Sequence, residues 1–182
     1  MAYNVVETTK ITGSCFDFLY TNDIENGSVV GKGALVTDER NIYNATVPTA
    51  GSEVFLVANP AWSYDDSRII NQNEDAYINK ANKPFRVYGL VAHNHDKFAV
   101  MDYGITPIND STAIAVGDYV TVSGTDNKLK DAGTTKPADT YGFIGQVVEI
   151  ENYGFAFSVG TAGTVDTTGK KVVIEVIKNE NV

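Results

Sequence analysis

The sequence predicts an all-β protein, with a β-sandwich or β-barrel-like fold, long loops and an extended N-terminal arm. Short runs rich in Val, Ile, Phe and Tyr recur along the chain, and turn-forming Gly, Asn, Asp, Ser or Pro separates most of them. No segment keeps apolar residues at helical spacing for about three turns, and the 16 glycines disfavour long helices further.

Strand-like runs occur throughout the chain, because Val, Ile, Phe and Tyr suit a pleated, half-buried surface. These runs cover residues 3–8, 28–36, 53–58, 85–92, 97–103, 119–123, 143–150, 155–159 and 171–177. In the run 119–123, Val120 and Val122 alternate with Tyr, Thr and Ser and therefore share one face of the strand. We expect this face to meet the core.

Two further runs predict how their strands are covered. Val172, Ile174 and Val176 form one face of the run 171–177, while charged residues lie on the other, so we expect one core face and one solvent face. The run 54–58 is apolar on both faces, which is typical of a strand covered on both sides. The cover is expected either within the domain or from a neighbouring subunit.

Residues 123–130 predict a β-hairpin, since a short turn rich in Gly, Asp and Asn lies between two strand-like segments. The Ile-Thr-Pro-Ile-Asn-Asp sequence that begins at Ile105 interrupts the strand pattern. We place a provisional boundary there, between a β-rich region of residues 1–104 with the N-terminal arm and a small β-barrel-like subdomain of residues 105–182. One continuous domain is the alternative.

The charge balance argues against a nucleic-acid partner. The chain carries 14 Lys and Arg against 23 Asp and Glu, and the resulting formal net charge of −9 disfavours attraction to phosphate. No run approaches the roughly 18 apolar residues of a membrane span, and the start of the chain lacks the charged and apolar regions of a signal peptide. We expect a cytoplasmically made protein that binds no nucleic acid and no membrane.

The single cysteine, Cys15, excludes an internal disulfide framework and a four-cysteine zinc site. Since it lies between Ser14 and Phe16, we expect a buried side chain that behaves as a small apolar residue. A catalytic thiolate is the alternative, and it requires a nearby base.

The only two histidines lie in the sequence His93-Asn94-His95-Asp96. On a strand, His93 and His95 would share one face and could bind one metal ion, whereas in a turn Asn94 and Asp96 are ordinary turn formers. The sequence also lacks the Gly-x-Ser-x-Gly elbow of many hydrolases. We expect the turn, with no metal, no cofactor and no enzymatic activity. A β-rich hydrolase or metal enzyme built on these side chains is the alternative.

Residues 59–84 have no clear period and form a long polar connection, a kind of segment that often serves binding. They contain the only tryptophan, Trp62, together with Tyr64, Arg68 and Tyr77, and these residue types concentrate at interface hot spots. We expect these four residues to contribute to an intermolecular interface. The alternative is a surface excursion whose aromatic side chains cover the core.

Four segments of the chain can be compared with a known family, namely residues 71–90, 116–122, 128–132 and 142–148. They resemble head structural proteins of tailed bacteriophages, and in particular small capsid decoration (cement) or auxiliary head proteins. The resemblance implies a structural protein, made in the host cytoplasm, that binds the major capsid protein on the outer surface of the virion. It also implies a homo-oligomer, often a trimer, that reinforces the icosahedral shell. Residues 1–104 would then form the capsid-binding region.

Within this interpretation, the N-terminal arm of residues 1–9 is a tether to the shell or to a neighbouring subunit. Tyr3, Val5 and Val6 motivate the hypothesis, because a terminal strand can pair with an open sheet edge. Other virion components are alternatives, including a head-fibre base, a tail protein or a host-surface module that binds glycans through Trp62.

Overall fold

The computed structural model describes residues 6–60, 77–109, 112–154, 156–158, 164–166 and 169–182. Strands dominate these ranges, which confirms the predicted all-β fold. The helical part of the same ranges consists of two short 3-10 turns, Ala92–Asn94 and Asp102–Gly104. None of the described helices has the length and apolar character needed to cross a membrane.

The strands are numbered in chain order. They are β1 (Glu7–Lys10), β2 (Cys15–Leu19), β3 (Ile24–Glu25), β4 (Val29–Leu35), β5 (Ile42–Thr46), β6 (Phe55–Val57), β7 (Ile78–Asn79), β8 (Pro84–Gly89), β9 (Lys97–Met101), β10 (Ile105–Thr106), β11 (Tyr119–Val122), β12 (Leu129–Gly133), β13 (Phe143–Tyr153), β14 (Ala156–Ser158), β15 (Thr164–Asp166) and β16 (Gly169–Asn179).

Five strands close into a barrel in the order β2-β5-β4-β6-β8, and the ring is completed where β8 pairs with β2. The pairing of β2 with β5 is parallel, and the other pairs in the barrel are antiparallel. Phe18, Phe55, Phe85 and Val87 fill the interior, with the rings of Phe18 and Phe55 5.2 Å apart between centroids. Closure leaves the barrel without an unpaired edge.

Seven strands form a second, open sheet in the order β1-β9-β16-β13-β11-β12-β10. Its longest pairing joins β13 to β16, from Phe143 opposite Asn179 to Tyr153 opposite Gly169. Because β1 and β9 belong to this sheet, it combines strands from both sides of residue 105. The division into residues 1–104 and 105–182 therefore does not coincide with the division between barrel and sheet.

The barrel and the sheet pack against each other through a shared wall formed by β4 and β6. Val30 and Phe55 belong to the barrel core, whereas their neighbours Val29 and Leu56 belong to a larger core that includes Ile174 of the sheet. Successive side chains of a strand point to opposite faces, so this wall supplies both cores. The prediction that the run 54–58 is covered on both sides is confirmed, and the cover comes from the same chain.

The predicted core faces of two sheet strands are confirmed. The side chains that share these faces are at most 2% exposed, namely Val120, Val122, Val172, Ile174 and Val176. The predicted hairpin is also confirmed, since β11 and β12 pair antiparallel with Val122 opposite Leu129.

The prediction that Cys15 is buried is wrong. Cys15 is exposed, and strand alternation explains why: in β2, Phe18 points into the barrel, while Cys15 and Asp17 lie on the outer face. Partial desolvation raises the pKa of the Cys15 thiol, and Asp17 raises it further, although Arg86 opposes both effects. The thiolate that a nucleophile requires is therefore disfavoured at this position.

Candidate interaction surface

One hydrogen bond joins the two ends of the segment that carries the predicted interface residues. The Nδ2 group of Asn59 donates to the Tyr77 hydroxyl at 2.9 Å, so the residues on either side of this segment are in direct contact. Of the four predicted interface residues in this region, Tyr77 is half-buried, while Trp62, Tyr64 and Arg68 lie outside the described residues. We call residues 61–76 the excursion.

Three asparagines hold the chain where the excursion begins. Asn26 accepts from the backbone N–H of Asn59 at 3.0 Å through Oδ1, and its Nδ2 donates to the Asn59 carbonyl at 2.8 Å. Asn79 donates from Nδ2 to Asn26 Oδ1 and to the Ile24 carbonyl, each at 3.1 Å. Asn26, Asn59 and Asn79 form a connected network, which we call the asparagine cluster. Oδ1 of Asn79 is buried and has no hydrogen-bond partner among the described residues.

Further contacts hold the chain after the excursion. Strand β7 pairs with β3, and the carboxylate of Asp23 accepts from the Ala81 backbone N–H at 2.8 Å and from Lys80 Nζ at 2.9 Å. The Ala81 hydrogen bond is the main reason that the pKa of Asp23 lies below its usual value, and Lys80 lowers it further. Asn82, in a left-handed conformation with φ 57°, donates its N–H to the Tyr20 carbonyl.

These contacts make the base of the excursion a fixed platform at one end of the barrel. Pinning both ends of a connection reduces the conformational entropy that it loses on binding. Such a base is suited to presenting recognition side chains.

The N-terminal arm is anchored to the seven-stranded sheet. Val6 packs against the larger core, and the Lys171 ammonium pairs with Glu7 of β1 at 2.9 Å and with Glu151 of β13. Glu151 and Glu7 both raise the pKa of Lys171, with Glu151 first. Residues 7–9 of the predicted arm thus belong to the chain's own sheet. Of the predicted interface residues, Tyr3 and Val5 lie outside the described residues.

The prediction of a turn at the two histidines is confirmed. Ala92–Asn94 forms a 3-10 turn, and His95 follows it in a left-handed conformation with φ 54°. His95 Nδ1 lies 2.8 Å from Glu175 Oε1, within hydrogen-bond distance at the surface. Within the described ranges, no three His, Cys, Asp or Glu side chains come together as a metal site requires.

Asp96 has a structural role that its turn-forming character alone does not predict. It is completely buried and accepts three hydrogen bonds, from the Thr12 N–H at 3.0 Å, the Thr12 hydroxyl at 2.6 Å and the Val91 N–H at 2.8 Å. These bonds fasten the link between β1 and β2 to the turn before β9. A carboxylate with several backbone donors is a strong anchor.

Comparison with known proteins gives no assignment: no protein-family model, no curated protein and no solved structure matches the chain. The asparagine cluster and Asp96 were missed by sequence reasoning. Apart from the contact of Asp96 with Val91, their partners lie 33 to 84 residues away along the chain, so no local pattern reveals them. Asn26 directly follows β3 and Asn79 ends β7, and these two-residue strands are too short to carry a pattern that predicts a buried amide.

Proposed function

We propose that this protein is a structural virion protein that binds the outside of an icosahedral phage capsid and stabilises it. The observation that carries the proposal is the pinned base of the excursion, where Asn59 donates to Tyr77 at 2.9 Å. The excursion carries Trp62, Tyr64 and Arg68, residue types that concentrate at interface hot spots. The resemblance to decoration proteins supplies the identity of the partner, the major capsid protein.

A lattice of identical sites makes such an interface effective. Each copy contributes a modest contact, and when copies are joined in a trimer the later contacts become intramolecular, so that avidity exceeds the affinity of a single contact. A net charge of −9 is compatible with this role, because an acidic coat protein does not compete with the shell for packaged DNA.

The edge strands of the open sheet favour binding to a preformed shell over open-ended association between copies of the chain. At one edge, β1 is short, carries the charged residues Glu7 and Lys10, and has an irregular register with β9. At the other edge, β10 contains only two residues, Ile105 and Thr106. Short, charged and bulged edge strands are the usual protection against edge-to-edge pairing. Contacts through loops are therefore expected to dominate any assembly.

Sedimentation with capsids tests the proposal. The purified chain is mixed with shells of the source phage that lack it and is centrifuged through a density gradient. We expect it to migrate with the shells in a saturable ratio of one copy or one trimer per repeated site. A protein that stays at the top of the gradient, or that binds only isolated tails or host envelopes, would refute decoration. The latter results would favour a tail or glycan-binding role.

A further inference from the structure

Asn26 and Gly27 form the only Asn-Gly dipeptide of the chain. Asparagine deamidates most readily before glycine, because glycine has no side chain that keeps its backbone nitrogen away from the asparagine side chain. The nitrogen of Gly27 attacks Cγ of Asn26, a C–N bond closes a succinimide ring, and ammonia leaves with Nδ2 and the Gly27 amide proton. Water then opens the ring at either carbonyl and leaves an aspartyl or isoaspartyl residue.

The fold requires both residues of this labile dipeptide. Asn26 clamps the backbone of Asn59, since its Oδ1 accepts from the N–H at 3.0 Å and its Nδ2 donates to the carbonyl at 2.8 Å. Gly27 has φ 87°, a conformation that residues with a side chain rarely adopt, in a turn where the Ser28 N–H donates to the Glu25 carbonyl. The chain therefore keeps a reactive dipeptide at the base of the excursion.

The same fold occupies both reacting groups. The Gly27 N–H is buried and donates to the Val57 carbonyl at 2.8 Å, so the nitrogen must leave this bond before it loses its proton. The Asn26 side chain is held by its two bonds to Asn59 and by one from Asn79. Since Nδ2 is the leaving group, its bond to the Asn59 carbonyl must also break. Deamidation thus requires local opening of the asparagine cluster.

We propose that Asn26 is a site of spontaneous deamidation that the asparagine cluster suppresses, so that the reaction proceeds only while this end of the barrel is locally open. The product cannot rebuild the clamp, because a carboxylate has no N–H to donate to the Asn59 carbonyl. The isoaspartyl product also lengthens the backbone next to β3 by a methylene group. Modification is therefore a one-way change that leaves the base of the excursion open.

Timed incubation of the full chain at mildly alkaline pH tests the proposal. Mass spectrometry of the digested chain measures loss of the Asn26 amide, and an isoaspartyl methyltransferase labels the isoaspartyl product. We expect the loss to be at least about tenfold slower in the folded chain than in the chain unfolded in urea, because the locally open state is a small fraction of the folded population.

Variants isolate the contribution of the asparagine cluster. Asn79→Ala removes one hydrogen bond to Asn26 and should speed its deamidation in the folded chain roughly fivefold, whereas Asn152→Ala, at an exposed position on β13, should leave the rate unchanged. Asn26→Asp reproduces the aspartyl product and should speed hydrogen exchange at the Gly27 amide. If Asn79→Ala fails to fold, the urea comparison and Asn26→Asp still decide the question.

The proposal is overturned if folded and unfolded chains lose the Asn26 amide at the same rate. It is also overturned if folded Asn79→Ala reacts no faster than Asn152→Ala, or if Asn26→Asp leaves exchange at the Gly27 amide unchanged. These measurements need no capsid, so their outcome is independent of the proposed function.

An effect of deamidation on shell binding does rest on the proposed function. Asn59 donates to Tyr77, so a displaced Asn59 should weaken the base that presents the excursion. We expect the deamidated chain to migrate with shells less completely than the unaltered chain. Equal migration of the two chains would overturn this consequence, whereas an unaltered chain that does not bind shells would refute the proposed function alone.

Discussion

The side-chain amide of Asn179 pairs with the backbone of Val54 as a neighbouring strand would. Asn179 Oδ1 accepts from the Val54 N–H at 2.8 Å, and Asn179 Nδ2 donates to the Val54 carbonyl at 2.9 Å and to the Leu90 carbonyl at 3.0 Å. Asn179 ends β16 of the open sheet, while Val54 immediately precedes β6 of the barrel. One side chain therefore joins the seven-stranded sheet to the barrel.

Replacing this amide should destabilise the whole fold. Asn179→Ala removes three hydrogen bonds and leaves the backbone groups of Val54 and Leu90 unsatisfied, so we expect a loss of about 3 kcal/mol in the free energy of unfolding. Urea denaturation measures the loss, and Asn152→Ala, at an exposed position on β13, is the matched control with a change of less than about 0.5 kcal/mol. Equal midpoints for the two variants would contradict the structural role of Asn179.

Asp96 should hold the N-terminal segment in place. Asp96→Ala leaves the N–H groups of Thr12 and Val91 without their acceptor. We expect the free energy of unfolding to fall by an amount on the order of 3 kcal/mol, and hydrogen exchange at these two amides to become faster. Asp96→Asn keeps one acceptor oxygen and should lose less. Unchanged exchange at Thr12 in Asp96→Ala would show that the segment is held by other contacts.

Deletion of residues 1–5 tests the tether hypothesis more cleanly than deletion of residues 1–9. The longer deletion also removes Val6 and part of β1, which pack and pair within the chain's own sheet. We expect the shorter deletion to weaken shell binding in the sedimentation assay while the urea midpoint stays unchanged. Full binding by the shortened chain would exclude the tether.

The excursion should carry binding without contributing to the fold. We expect the combined variant Trp62→Ala, Tyr64→Ala and Arg68→Ala to bind the shell at least about tenfold more weakly. The reason is that truncation of a single hot-spot residue costs about 2 kcal/mol or more of binding free energy. Leu35→Ala removes an exposed apolar side chain elsewhere and is the matched control. Shell binding that survives the triple substitution would remove the excursion from the interface.

Glu175 should make the stability of the fold depend on pH. A hydrogen bond from Lys97, and then one from His95, lowers the pKa of Glu175 below its ordinary value of 4.5. The folded pKa lies below the unfolded one, so the stabilisation is present above about pH 4.5 and is lost as the pH falls through the folded pKa. Glu175→Gln should therefore be less stable than the unaltered chain near neutral pH, and the gap should close as the pH falls through the folded pKa of Glu175.

Urea midpoints across this range measure the effect, and Glu39→Gln, at an exposed glutamate, is the control that should show no such closing gap. If the urea midpoints of Glu175→Gln and the unaltered chain differed by the same amount at all pH values, the ion pair with Lys97 would make no pH-dependent contribution to stability. Since Glu175 is partly exposed, the effect should shrink at high salt.

Strands with a strong alternating pattern could be predicted from the sequence, and strands defined by distant partners could not. The alternation of Val172, Ile174 and Val176 with more polar neighbours predicts the buried face of β16 from the local sequence alone. By contrast, β2 and β5 were missed, although together they close the barrel. In β5 only Ala45 is buried, and the strand is held in the barrel between β4, which precedes it in the chain, and the more distant β2. Such tertiary context overrides the weak intrinsic preference of a strand.

The candidate site likewise combines features that the local sequence predicts with features that depend on distant residues. Residue types at Trp62 and Tyr77 predict an interface region, because these types concentrate at interface hot spots. The fixed base beneath it depends on Asn26, Asn59 and Asn79, whose amides meet only after the barrel has formed. In a sequence, asparagine indicates a turn and does not indicate which distant backbone its side chain will bind.

An image of the decorated particle tests the central claim most directly. Cryo-electron microscopy of shells after incubation with the chain should show regular density on the outer surface, with the barrel end that bears Asn59 and Tyr77 facing the major capsid protein. Density confined to the tail, or bare shells under conditions where the chain is folded and in excess, would contradict the account.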